Sequence, residues 1–261
     1  HHSSKINRTA TLYGGLQYSL DPQKMEEESK AYGKSDLAGL VRSEYGVSGF
    51  KDLRNTKDEV KKIEKTLVDN GFSVKAYLGS KGNAESFVAL DGKSPSIVHI
   101  ATHGFYYTPD EAKDKDFLRG YTDAMSLSGL VFAGGNAAWL GKKNVDGVLG
   151  GVLTAKDIAN LDFKGTDLLV LSACKTGQGK VTAEGVFGLQ RAFKKAGVGT
   201  IIMSLWNVDD KVTSEFMIAF YEQLTDKANN WNKRKAFEQT KEIIRKKHPD
   251  PYYWAAFVML D

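Results

Sequence analysis

The sequence has one cysteine in 261 residues, only five prolines, and no apolar run near the length that crosses a bilayer, which takes roughly 20 residues. One cysteine excludes an internal disulfide and any cysteine-rich zinc site, so a reducing, cytoplasmic setting is the expectation. The opening "HHSSKINRTA" lacks the apolar core of a secretory signal. Residues His1 to Ser4 read as a cloning remnant, leaving 5–261 as one domain cut from a longer chain. Phosphate-loop spacing fails in "CKTGQGKVT": Cys174 stands where the first glycine belongs and Val181 follows the lysine. A dinucleotide fingerprint fails at Thr182, and no H-E-x-x-H or similar ligand spacing occurs, so neither metal nor cofactor is expected. The net charge of +4 is modest. Much of it lies in "NKRKAFEQTKEIIRKK", where Ala236, Phe237, Thr240, Ile243 and Ile244 form one helical stripe ringed by Lys and Arg, a solvated helix face and not a nucleic-acid patch.

What is present alternates between two periods. "SIVHIA", "DLLVLSA" and "TIIMSLW" are compact and apolar on both faces, as central parallel strands are. "FSVKAYL" alternates, "TATLYGGLQYSL" is extended, and "YYWAAFVML" reads as a closing strand. Between them lie helices: "NTKDEVKKIEKTLVDNG" with Thr56 as N-cap and Glu59 completing a capping box, "NAESFVAL" opened by Asn83, and "TAKDIANL" with Thr154 and Asp157 as another box. Two more follow. "AEGVFGLQRAFKKAG" carries Val186, Leu189, Phe193 and Ala196 on one face, and a helix from Asp210 turns Val212, Phe216, Phe220 and Leu224 inward. Strands alternating with helices predict a three-layer α/β/α domain around a mostly parallel central sheet. The interval from His103 to Asp167, with its charged "YTPDEAKDKDFLRG" and glycine-rich "FAGGNAAWLGKKNVDGVLGG", reads as mobile functional loops.

Two of the apolar strands end in reactive side chains, one at His103 and one at Cys174. Sites in open α/β sheets form beyond the carboxyl ends of strands, so neighbouring strands would deliver an imidazole and a thiol to one crevice. The imidazole can take the thiol proton, and the N–H groups of Gly104 and Cys174 are candidate oxyanion donors. Each residue alone has a plainer reading. Cys174 could be an inert buried thiol, His103 a turn residue, and His99, inside its strand, a hydrogen-bonded core histidine.

The blocks "SIVHIATHGFYY", "LLVLSACKTGQG", "EGVFGLQRAFKKAGVGTIIMSLWNVDD" and "HPDPYYWAAFVMLD" together resemble the CHAT family, caspase-like peptidases related to separases and gingipains. The resemblance runs from about Asp58 to the end and implies a caspase-like fold and peptide-bond hydrolysis by a His103–Cys174 dyad. Family members are commonly the C-terminal effector part of bacterial proteins, behind a repeat or sensor module. The resemblance also implies an extended peptide substrate beside "IIMSLWNVDD", with Trp206 either walling a pocket or simply packing. Asp209 or Asp210 would either meet a basic P1 side chain or cap the following helix. The expectation is therefore a regulated cysteine endopeptidase with a protein substrate, an upstream module or activating partner, and no membrane or nucleic-acid partner. The interval from Asp110 to Arg119 is the expected lid. The alternative is an inactive caspase-like module that binds a peptide along the same edge.

Overall fold

The computed structural model describes residues 7–33, 48–113, 122–142, 145–172 and 183–261. The predicted parallel strands form: β1 (Thr9–Leu16), β2 (Ser73–Gly79), β3 (Ile97–Ala101), β7 (Leu168–Ser172) and β8 (Thr200–Ser204). With β9 (Phe257–Leu260) they make a six-stranded sheet in the order β2-β1-β3-β7-β8-β9, and only β9 runs antiparallel. All five residues of β3, of β7 and of β8 are buried, which is why these strands read as continuous apolar runs and not as alternation. Each fully buried aliphatic or aromatic side chain contributes about 1.5–3 kcal/mol of transfer free energy.

One face of the sheet is covered by α2 (Thr56–Asp69), α8 (Asp210–Thr225) and α9 (Lys233–Lys247). Val60, Ile63 and Leu67 of α2 and Val212, Phe216, Phe220 and Leu224 of α8 bury there together with Ala10, Leu12, Ile97 and Val170. The other face meets α3 (Ala84–Val88) and α7 (Ala183–Lys195), whose Phe87, Leu189, Ala192 and Phe193 pack with Tyr13, Val98, Ile100, Leu169 and Leu171. This is the three-layer architecture that the alternation predicts. Asn83 caps α3 through Ser86 N–H, and Thr154 with Asp157 forms the expected box at α6 (Ala155–Ile158).

Three local expectations change. Helix α2 begins at Thr56 itself, after Asn55, and Glu59 does not turn back to cap it; its carboxylate is drawn under the sheet to His99 instead. The closing segment splits, because Pro251–Trp254 forms a helical turn, α10, capped by Asp250 before β9 starts. The interval after His103 is in part regular structure: β4 (Gly104–Tyr106), β5 (Ser128–Val131) and β6 (Val152–Thr154) form a second, antiparallel sheet. Between β5 and β6 lies α5 (Gly135–Trp139), with Asn136, Ala138 and Trp139 buried. Its glycines serve close approach. A Cβ on Gly129 would lie 2.2 Å from the Leu153 carbonyl oxygen, a contact no other residue tolerates. Of the expected lid, Pro109–Lys113 forms α4, and residues 114–119 fall outside the described residues.

Candidate active site

The chain leaves β1 for β2 on one side and later returns to β3 on the other, so strand direction of travel reverses at the β1/β3 boundary. The crevice beyond the carboxyl ends of such a pair is the usual binding place in open α/β sheets. His103 stands two residues past the end of β3, and Tyr18 two residues past the end of β1. The imidazole is 5% exposed and lies between the rings of Tyr18 and Phe50, with centroids 4.8 and 4.9 Å away. Its Nε2 is 2.8 Å from the Lys51 carbonyl oxygen. A carbonyl can only accept, so Nε2 carries a proton, and in the neutral form of the ring the lone pair is at Nδ1. Tyr18 is itself fixed, its hydroxyl 2.9 Å from Thr102 Oγ1, which donates to the Val131 carbonyl. Burial drives the Tyr18 phenol far above its usual range, so it stays protonated beside the imidazole.

His103 opens onto a cleft of about 490 Å³ whose wall is the segment Ser48 to Asn55 together with Asp210. Asp210 Oδ2 accepts from the backbone N–H of Asn55 at 3.2 Å and from its side-chain amide at 2.9 Å, whereas Oδ1 is buried with no hydrogen-bond partner. The two neighbouring acids thus separate. Asp209 is the N-cap of α8, accepting from Lys211 and Val212 N–H, and Asp210 faces the cleft. Trp206 is half-buried against the α8/α9 face, with Nε1 donating to the Tyr252 carbonyl at 2.9 Å, and does not line the cleft.

Gly104 opens β4. The Val131 N–H donates to the His103 carbonyl, so residues 103 and 131 form a bonded rung and Gly104 with Leu130 a non-bonded one. The N–H of Gly104 therefore points away from β5. Strand β7 pairs with β3 in register, Ala101 opposite Ser172; Cys174, two positions further along the sequence, lies outside the described residues. Strand β8 pairs with β7 along Thr200–Ile202 and with β9 along Ile201–Ser204, so Thr200–Ile202 offer no edge to a peptide on the β7 side. His99 is indeed a core histidine, 0% exposed, with Nε2 2.9 Å from Glu59 Oε1. Sequence reading missed the 48–55 wall and the α5 side chains that hold it, since neither has a period or a reactive residue to mark it. Among the described residues, no cluster of three or more His, Cys, Asp and Glu could hold a metal, and no helix is long and apolar enough to cross a membrane.

The family profile described as CHAT domain matches residues 22–261. The chain belongs to the CHAT-domain family. Over 111 residues, 42% of this chain, it is 32% identical to human (Homo sapiens) Tetratricopeptide repeat protein 28 and 31% identical to the mouse (Mus musculus) protein of that name. The matched region spans 4% of the length of these relatives. Among solved structures, the Arg-specific cysteine proteinase gingipain R is similar with a TM-score of 0.50 and 10% identity, covering 97% of this chain and 46% of that one. That likeness assigns this CHAT domain a gingipain-like, caspase-like fold.

Proposed function

We propose that this CHAT domain is a cysteine endopeptidase in which Cys174 is the nucleophile and His103 its acid–base partner. The Cys174 thiol gives its proton to His103 Nδ1 as sulfur bonds to the scissile carbonyl carbon. The imidazolium then returns that proton to the departing amine as the C–N bond breaks, and a water activated by the same ring hydrolyses the thioester. The N–H groups of Gly104 and Cys174 hold the oxyanion meanwhile.

One observation carries the reading. An imidazole whose Nε2–H is committed to a carbonyl, leaving its lone pair at Nδ1, stands at the mouth of a cleft at the carboxyl end of β3, and the neighbouring strand β7 leads to the only cysteine of the chain two residues on. The family membership supports the chemistry.

The cleft supports a basic P1 side chain, because Asp210 Oδ1 is a buried carboxylate oxygen with no hydrogen-bond partner among the described residues, and a guanidinium or ammonium would satisfy it. Asp209 is occupied as a helix cap, and Trp206 would contact a peptide only on its way past β8. Relatives named for tetratricopeptide repeats support a helical repeat module coupled to this domain as its regulator.

The test is to incubate the protein and its Cys174→Ala variant with cell extract and map new peptide N-termini. Ends generated only by the unaltered protein, preceded by Arg or Lys, are expected. Identical maps from the two proteins would overturn the peptidase reading in favour of a peptide-binding module.

A further inference from the structure

Helix α5 is far from His103 in sequence and contributes nothing to the cleft lining, yet its side chains hold the wall on which the imidazole depends. Asn136 is 6% exposed and uses its whole amide. Its Oδ1 accepts from the Phe50 N–H at 2.7 Å, and its Nδ2 donates to the Phe50 carbonyl at 2.9 Å and to Ser19 Oγ at 2.9 Å. One side chain thus pairs with both backbone groups of Phe50, as a strand partner would. One turn further along the helix, Trp139 Nε1 donates to the Ser48 carbonyl at 3.1 Å, and its ring lies 4.5 Å from that of Phe50.

Ser48 and Phe50 are two residues apart, the interval at which an extended chain repeats its carbonyl direction. The carbonyl one step further, Lys51, goes to His103 Nε2. The helix is fixed in turn to the end of β1, because Gly134 and Asn136 N–H groups donate to the Gln17 and Tyr18 carbonyls. A continuous set of hydrogen bonds therefore runs from the strand end bearing Tyr18, through Asn136, to the carbonyl that sets the imidazole tautomer.

We infer that Asn136 is a positioning residue: by clamping Phe50 it holds the Lys51 carbonyl on His103 Nε2 and so keeps the ring's lone pair at Nδ1. The inference rests on the reading of His103 as the partner of Cys174, and it adds a residue that touches neither substrate nor the reacting atoms. Without the clamp, Phe50 and Lys51 are free to move, the Nε2–H loses its acceptor, and the two tautomers mix.

The experiment has two readouts on the intact chain. The first is the 15N spectrum of histidine-labelled protein, with the His103 signals assigned by their loss in His103→Ala. The unaltered protein is expected to show the Nε2–H tautomer, and Asn136→Ala a mixture of the two. The second is the rate of alkylation by iodoacetamide at neutral pH, which reads Cys174 alone because the chain has one cysteine. Loss of an orienting partner typically costs about 10–100-fold in activity, and a fall of about tenfold in alkylation rate is expected. Trp139→Phe keeps a ring against Phe50 but removes the donor to Ser48 together with part of the buried indole; a smaller shift in the same direction is expected, and this variant decides the matter if Asn136→Ala does not fold.

Variants that retain the pure Nε2–H tautomer and the unaltered alkylation rate would overturn the inference and leave the peptidase reading standing. A tautomer shift in the variants, in a protein whose Cys174 reacts no faster than a free thiol, would uphold the clamp and remove the peptidase reading.

Discussion

His99 and His103 lie four residues apart, one inside strand β3 and one just past its end, and the two rings are held by the same device. Each directs Nε2 at an oxygen 2.8 to 2.9 Å away, Glu59 for His99 and the Lys51 carbonyl for His103. Opposite an ionised Glu59, a neutral His99 has the same tautomer as a neutral His103, with the lone pair at Nδ1. The difference lies in what surrounds that second nitrogen. For His99 it is the hydroxyl of Tyr221 at 3.4 Å, within a core where His99 and Glu59 are 0% and 1% exposed. The His103 ring borders the 490 Å³ cleft. The same residue type serves the core in one place and borders an open cleft in the other. Access to the ring, not its local bonding, separates a structural histidine from a reactive one.

The sharpest way to break this comparison is to remove each ring. His103→Ala should lower cleavage of the substrate found in extract by about 10²–10⁴-fold, the usual contribution of a general acid–base, a loss far beyond what the stability removed with this buried ring accounts for once the folded fraction is compared. A variant that keeps its rate would end the distinction. The opposite outcome is expected on the core side. Glu59→Ala leaves the buried imidazole Nε2 without its hydrogen-bond partner, and orphaning such a group typically costs about 1–3 kcal/mol. Urea unfolding should show that loss, with the alkylation rate of Cys174 unchanged in the folded fraction. A loss below about 1 kcal/mol would mean that the pair contributes little to holding α2 against β3.

Asp210 sharpens the cleft side. Asp210→Ala removes a carboxylate whose Oδ2 accepts two hydrogen bonds from Asn55, so about 1–3 kcal/mol of stability should be lost with it, and cleavage is compared in the folded protein. Cleavage after Arg or Lys should fall by at least about tenfold, since truncating one member of a desolvated charge pair typically costs 2 kcal/mol or more. Unchanged preference across a peptide panel would remove the basic-P1 proposal. Asp209→Ala is the control, and it should cost about 1 kcal/mol of helix capping with preference intact.

The same comparison shows how far the sequence could be read. Buried parallel strands and amphipathic helices announce themselves by period, so β3, β7, β8, α2 and α8 were legible, as was the strand-end position of His103. Glu59 was legible as a residue but not in its role: its spacing from Thr56 fits a capping box, and only the arrival of His99 from a distant strand makes the buried pairing win. The second sheet was missed because strands of three or four residues are too short to show alternation, and glycines such as Gly129 mark close packing as readily as they mark loops. The wall from Ser48 to Asn55 and the Asn136 clamp were invisible for a related reason. They act through backbone carbonyls, which every residue has, so no residue type signals them.

Tyr221 offers the smallest and most discriminating change. Burial raises its phenol well above the usual value, so the hydroxyl keeps its proton and can donate to His99 Nδ1, although 3.4 Å makes that a weak bond. Tyr221→Phe deletes only this oxygen and leaves the ring that packs edge-on to the imidazole. A net hydrogen bond contributes about 1 kcal/mol, and a loss of that order or less is expected in urea unfolding, with the Nε2–H tautomer of His99 unchanged in the 15N spectrum because Glu59 alone fixes it. A tautomer change in this variant would mean that the phenol, and not the carboxylate, orients the ring. The parallel drawn with the Lys51 carbonyl at His103 would then fail, and each histidine would need its own account of which nitrogen holds the proton.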